Sequence, residues 1–311
     1  ERDEPELLAV VMPSTSGAKN AVDFPTPAEE TIEEIRLAQW YGRANQLSRE
    51  HVAWPVIDEV TATTRMPQDA TLATPPCELV SHWQPSGTAL NVDAQQIIHQ
   101  RRSCLALDGR SRVSRDVFLR MVARTLPGPH PPWDALYWAT TIHLALFVHR
   151  VDGITPGLYL LVRDPAKKRL LQEAMRETFV WQTPPGVPTG FPLYLLIEGD
   201  CRDAARSLSC HQDIAADGFF SIGMIAEFTE PIQIHGAWFY RNLFWEAGMV
   251  GQVLYLEAEA AGARSTGIGC YFDDPVHDVL GLADNQFQSL YHFTVGVPVE
   301  DDRLQTGRPY S

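Results

Sequence analysis

The run Tyr240–Ala261 constrains this chain more than any other stretch. It has helical character and is apolar almost all the way round, with Leu243, Phe244, Val250, Val253, Leu254 and Leu256. Such a helix is buried in a large core or against another chain. Glu246, Gln252, Glu257 and Glu259 exclude a lipid environment, and Gly248 and Gly251 let a neighbouring helix come close. Its apolar surface exceeds what one small domain can cover, so a dimer is expected. No other apolar stretch reaches the roughly 20 residues that span a bilayer. The formal charge of −14 argues against anionic membranes and against nucleic acid, since phosphate contacts need clustered cations. Only Lys19, Lys167 and Lys168 are lysines, so nearly all positive charge is arginine, which grips planar oxyanions with a fork of donors.

Around that helix the chain divides into three. Residues 1–92 are rich in proline and read as an arm or connector. Thr26-Pro27-Ala28-Glu29 has the capping-box form with proline in the first turn, predicting a helix to about Tyr41. Ser48–Thr63 is a second helical candidate with Pro55 inside it, and an irregular linker follows from Arg65 to Gly87. Residues 93–305 read as one α+β domain, and 306–311 as a tail. Asp93 caps a helix over Ala94–Arg101, and Ser114 caps another that Pro127 ends. Strands are expected at 142–148, 158–162, 193–197 and 289–297, and helices at Phe219–Phe228 and from Asp274-Pro275. The N-terminus ERDEPELLAV has no basic or apolar signal region and no initiator Met, so the chain is expected to be a piece of something longer. Cys77, Cys104, Cys201, Cys210 and Cys270 form no CxxC pair, which predicts reduced thiols and a cytoplasmic protein.

Hydrolase, P-loop and zinc signatures are absent: there is no GxSxG, no GxxxxGK[ST] and no HExxH. The group Cys201, Cys210, His211 and Asp213 has looser spacing than metal ligands use. Two features remain. Arg101-Arg102-Ser103 is either a phosphate clamp, two forks plus a hydroxyl, or a cation pair complementing a helix C-terminus. Gly262 to Cys270 (GARSTGIGC) is either a glycine-rich loop on which a planar ligand can lie, or an ordinary helix exit capped by Gly262.

Taken in order, the double arginine with serine, the Ala247-Gly248-Met249-Val250-Gly251-Gln252 string, the Gly267-Ile268-Gly269 loop and the closing Val295–Pro298 resemble the FMN-dependent nitroreductase superfamily. Asp152–Tyr159 (DGITPGLY) is similar to a turn of its SagB/ThcOx-type dehydrogenase branch, and segment 45–60 resembles the connector of tandem members. The resemblance implies an α+β fold with a central, mainly antiparallel sheet flanked by helices. Two such domains, in a homodimer or in tandem, would pack through the long helix around FMN. It further implies that Arg101, Arg102, Ser103 and Arg303 hold the FMN phosphate and ribityl chain, and that Gly267, Ile268 and Gly269 face the flavin ring. The implied activity is hydride transfer through FMN between a nicotinamide (NADH or NADPH) or an organic, small-molecule or peptide-derived substrate and an acceptor. The rival reading is a non-catalytic structural, dimerisation or flavin-binding half. Leu105 stands where the family often has another cation, residues 135–141 lack the family's partner-reaching segment, and Lys168 is followed by Arg169 rather than tyrosine. The first two departures favour the rival and the third argues against peptide azoline oxidation, while the pairing of Arg101-Arg102-Ser103 with Gly267-Ile268-Gly269 favours the enzyme.

Overall fold

The computed structural model describes residues 29–39, 41, 52, 54–67, 70, 92–129 and 131–303. Residues 1–53 and 54–311 form two separate units. In the first, the described structure is chiefly helix α1 (Glu29–Leu37), with Glu29 and Glu30 in its first turn and Arg36 in its last, as the helix dipole favours. Residues 26–28 and most of the expected linker 65–87 lie outside the described residues, as do 304–311.

The second unit begins with α2 (Pro55–Thr63). Pro55 opens this helix and does not interrupt it, because a first-turn residue needs no N–H partner. Then come α3 (Ala94–Gln100), β1 (Val113–Ser114), α4 (Arg115–Arg124), β2 (Ile142–Val148), β3 (Val151–Asp152), β4 (Gly157–Leu161) and α5 (Lys168–Ala174). They are followed by β5 (Leu193–Glu198), α6 (Arg202–Leu208), α7 (Ile214–Asp217), β6 (Phe220–Glu227), α8 (Thr229–His235), α9 (Phe239–Ala260), β7 (Arg264–Ile268), α10 (Asp273–Leu280) and β8 (Phe287–Gly296). The predicted caps are made: Asp93 Oδ1 accepts from Gln96 N at 2.8 Å, and Ser114 Oγ from Val117 N at 3.4 Å.

Six strands form one antiparallel sheet in the order β5-β4-β2-β6-β8-β7. Side chains of successive strand residues point to opposite faces, and here both faces are covered. Leu144, Leu146 and Val148 pack with Phe118, Met121, Leu243 and Val250 from α4 and α9. Ala145 and Phe147 pack with Leu171, Leu208, Val276 and Leu280 from the helices on the other face. The expected α+β architecture, an antiparallel sheet flanked by helices with a long buried helix, is what the chain adopts.

Two segments differ from expectation. Phe219–Phe228 is not a helix but the central strand β6, all eight of its residues buried. A strand buried on both faces shows no period-2 alternation, so it reads like a buried helix. The stretch leaving α9 is not a loop: Arg264–Ile268 is edge strand β7, paired with β8. The reduced-thiol reading is also corrected, and with it the thiol argument for a cytoplasmic setting, because Cys210 and Cys270 are joined in a disulfide. Cys104 and Cys201 are free, and Cys77 lies outside the described residues.

One polar cluster fixes α9 against the sheet. Glu246 and Arg163 are fully buried and paired at 2.5 Å. Glu246 also accepts from Trp138 Nε1, Thr141 N and Thr141 Oγ1, while Arg163 donates to the carbonyls of Thr125 and Ile142. Arg163 Nη2 has no hydrogen-bond partner, but the guanidinium lies 4.7 Å over the Trp133 ring. No helix among the described residues is long and apolar enough to cross a membrane.

Candidate functional site

The C-terminal half of α9 brings the two sequence motifs together. Tyr255 is half-buried, and its hydroxyl lies 2.7 Å from Ser103 Oγ and accepts from Gly267 N at 3.0 Å. The Arg101 guanidinium sits 4.9 Å from the Tyr255 ring centre, a cation–π distance. Thr266 locks the same junction: its hydroxyl donates to Cys104 O at 2.7 Å and lies 3.1 Å from Cys104 N. Residues 101–104 therefore follow the β7 edge although more than 150 positions separate the two in sequence.

Each predicted residue has a definite place. Arg102 Nη1 donates to His99 O and Arg101 O, at 2.9 and 2.7 Å, so it does serve the C-terminal carbonyls of α3. Gly267 lies in β7 opposite Phe293, where a Cβ would sit 1.9 Å from the Tyr291 hydroxyl. Ile268 is buried in the core on the helix α10 side of the sheet, away from Tyr255. Gly269 is open, with nothing near the position of a Cβ. Arg303 is exposed and forks onto Asp301, with Nε–Oδ1 at 2.8 Å and Nη2–Oδ2 at 2.6 Å. No contact joins it to Arg101, Arg102 or Ser103 among the described residues. Leu105 is exposed.

Beside Tyr255 a small cleft of about 210 Å³ runs between α9 and β8, lined by Phe244, Gly248, Gln252, Tyr255, Tyr291 and Phe293 among others. Phe244, Gly248 and Gln252 form an exposed row one helical turn apart. Burial raises the pKa of the Tyr291 hydroxyl and of the Cys104 thiol, so both are neutral near pH 7. Sequence reasoning missed Tyr255 and Tyr291, because an aromatic on an apolar helix or strand reads as core. The arrangement offers the Arg101 guanidinium, hydroxyls and a backbone N–H beside an aromatic cleft, donors of the kind an anionic, planar ligand uses, with Arg102 next in sequence turned to the carbonyls of α3. No cluster of metal-ligating side chains occurs among the described residues.

Six antiparallel strands with one long buried helix across a face define this as the nitroreductase-type fold. A structure described as a putative nitroreductase from Anabaena variabilis superposes with a TM-score of 0.52 over 67% of this chain, at 23% identity. The chain spans 38% of the length of that protein. A putative nitroreductase from Ralstonia eutropha matches 76% of this chain and 94% of its own at 14% identity, TM-score 0.48. One chain of the E. coli microcin synthetase McbBCD complex with truncated pro-MccB17 matches 82% of this chain over its whole length at 14% identity, TM-score 0.45. No protein-family profile and no curated protein matches.

Proposed function

We propose that this chain holds FMN and acts as a flavin oxidoreductase, moving a hydride between a nicotinamide or organic substrate and an acceptor. The observation that carries the reading is the Tyr255 link, which gathers Arg101, Ser103 and Gly267 on a nitroreductase-type fold. The residues suit FMN in kind: guanidinium forks and a hydroxyl for its phosphate and ribityl chain, and backbone beside an aromatic cleft for its ring. In size the cleft of about 210 Å³ falls below the roughly 300 Å³ at which ligand sites begin. The rest of the envelope is therefore assigned to a second copy or a tandem domain laid on the Phe244–Gly248–Gln252 row.

FMN supplies the hydride chemistry when bound. The protein's part is placement and charge. Arg101 and Arg102 neutralise the phosphate, with Arg303 joining them once it leaves Asp301. The Gly267 N–H, which now donates to Tyr255, would oppose negative charge developing on the ring once Tyr255 gives it up. Gly269 leaves the backbone approachable.

One observation favours a non-catalytic half instead: Tyr255 already occupies both Ser103 and Gly267. The deciding experiment is the visible absorption spectrum, before and after NADH or NADPH without oxygen. Flavin bands that bleach are expected. A colourless protein that takes up no added FMN would sink the oxidoreductase reading. Arg102→Ala is expected to weaken FMN binding by about tenfold, the worth of one charge-assisted contact, as read by fluorescence titration.

A further inference from the structure

A second cleft lies toward the other edge of the sheet from Gly267, where the ends of β2, β4 and β5 meet residues 109–112. It measures about 530 Å³, inside the roughly 300–1,000 Å³ range of small-ligand sites. Arg110, Arg112, Arg150 and Arg202 line it, against the carboxylates of Glu198 and Asp200. This is a local excess of cations in a chain whose formal charge is −14.

The four arginines come from three separate parts of the sequence and are held differently. Arg150 is the built part. It is 9% exposed, and its Nη1 donates to Ala216 O and Gly218 O at 2.8 and 2.9 Å, which fixes the guanidinium in the wall. Arg202 forks onto Asp200, and Arg112 pairs with Asp152, which lies outside the lining. Arg110 is almost free, its nearest carboxylate Asp108 at 3.9 Å and its side chain 88% exposed. Burial and then the Arg202 charge push the Arg150 guanidinium below its ordinary pKa, although Asp217, Asp108 and Asp200 act the other way. Burial, with Arg150 and Arg202 adding to it, takes His149 on the same wall down to about 4. Within the lining four guanidinium groups face two carboxylates, Glu198 and Asp200, while Asp108, Asp152 and Asp217 flank it from outside.

We propose that this cleft binds a small ligand through a multiply charged oxyanion, phosphate or polycarboxylate, independently of the Tyr255 site. Guanidinium forks match the planar edges of both groups, and the buried, pre-positioned Arg150 loses little freedom on binding.

The test is calorimetric titration of the full chain with inorganic phosphate and, separately, citrate, at fixed ionic strength. Arg110→Gln/Arg112→Gln changes only surface side chains, and circular dichroism checks its fold. Arg101→Gln/Arg102→Gln serves as the control at the other site. Saturable binding is expected, weakened at least about tenfold in the 110/112 variant and retained at this cleft in the 101/102 variant. Phosphate alone binding would name a phosphorylated ligand, and citrate alone a polycarboxylate. No saturable binding of either probe overturns the proposal. So does a 110/112 variant that binds like the parent, or a 101/102 variant that has lost the binding.

Discussion

The two ends of α9 hold their neighbours by opposite means. At the Glu246 end a fully buried carboxylate collects donors from Trp138, Thr141 and Arg163. At the Tyr255 end a half-buried, uncharged hydroxyl makes the links to Ser103 and Gly267. A buried charge pair cannot lose one member without stranding the other in a medium of low polarity. A phenol can surrender its bonds at a cost of about 0.5–1.5 kcal/mol each. The helix is thus anchored where its contacts are irreplaceable and adjustable where a ligand is proposed to arrive.

Glu246→Gln should break the anchored end, costing about 3–5 kcal/mol because Arg163 keeps its charge without a counterion. Denaturant midpoints would show this, and a loss below about 1 kcal/mol would mean the two ends do not differ in kind. Acid should come next. His149 and His292 are pushed by burial to about 4, against an ordinary value near 6.5. The unfolded chain then binds protons that the native one refuses. Stability is therefore full above about pH 6.5 and falls toward pH 4, by about 1.4 kcal/mol per pH unit for each imidazole. A flat profile across that window would show that they are not held neutral.

Gly267→Ala tests how tightly the adjustable end is packed. Its Cβ meets the Tyr291 hydroxyl, so a cost of about 1–3 kcal/mol is expected in thermal unfolding, with flavin uptake lost. A neutral result would mean that Tyr291 swings aside freely. The smallest effect is expected for Tyr255→Phe, about 1 kcal/mol of stability, together with a several-fold gain in FMN affinity as Ser103 and Gly267 are released. Weaker FMN binding would make the hydroxyl a ligand instead of a plug.

The parts of the fold that local chemistry decides were legible. Asp93 and Ser114 announced their helices through side-chain oxygens placed for capping, and the apolar runs at 142 and 193 were strands as expected. Strand β6 was misread because burial on both faces erases the alternation that marks a strand. The site was legible as two motifs and opaque as a unit. Tyr255 joins partners 152 and 12 positions away, and nothing about a tyrosine in an apolar helix distinguishes a linker from a core residue. The arginines of the second cleft, scattered from 110 to 202, converge only through strand order. The disulfide has no local signature either, since its cysteines stand 60 residues apart.

That disulfide turns residues 210–270 into a covalent ring enclosing α7, β6, α8, α9 and β7. In the unfolded chain a ring of this length removes conformational freedom worth about 4 kcal/mol in the chain-entropy view. It also sets the path of mechanical load. Once the fold has given way, tension between the ends of the chain crosses the Cys210–Cys270 bond and bypasses the ring, so the stretch carrying the central strand and the long helix is not drawn out with the rest.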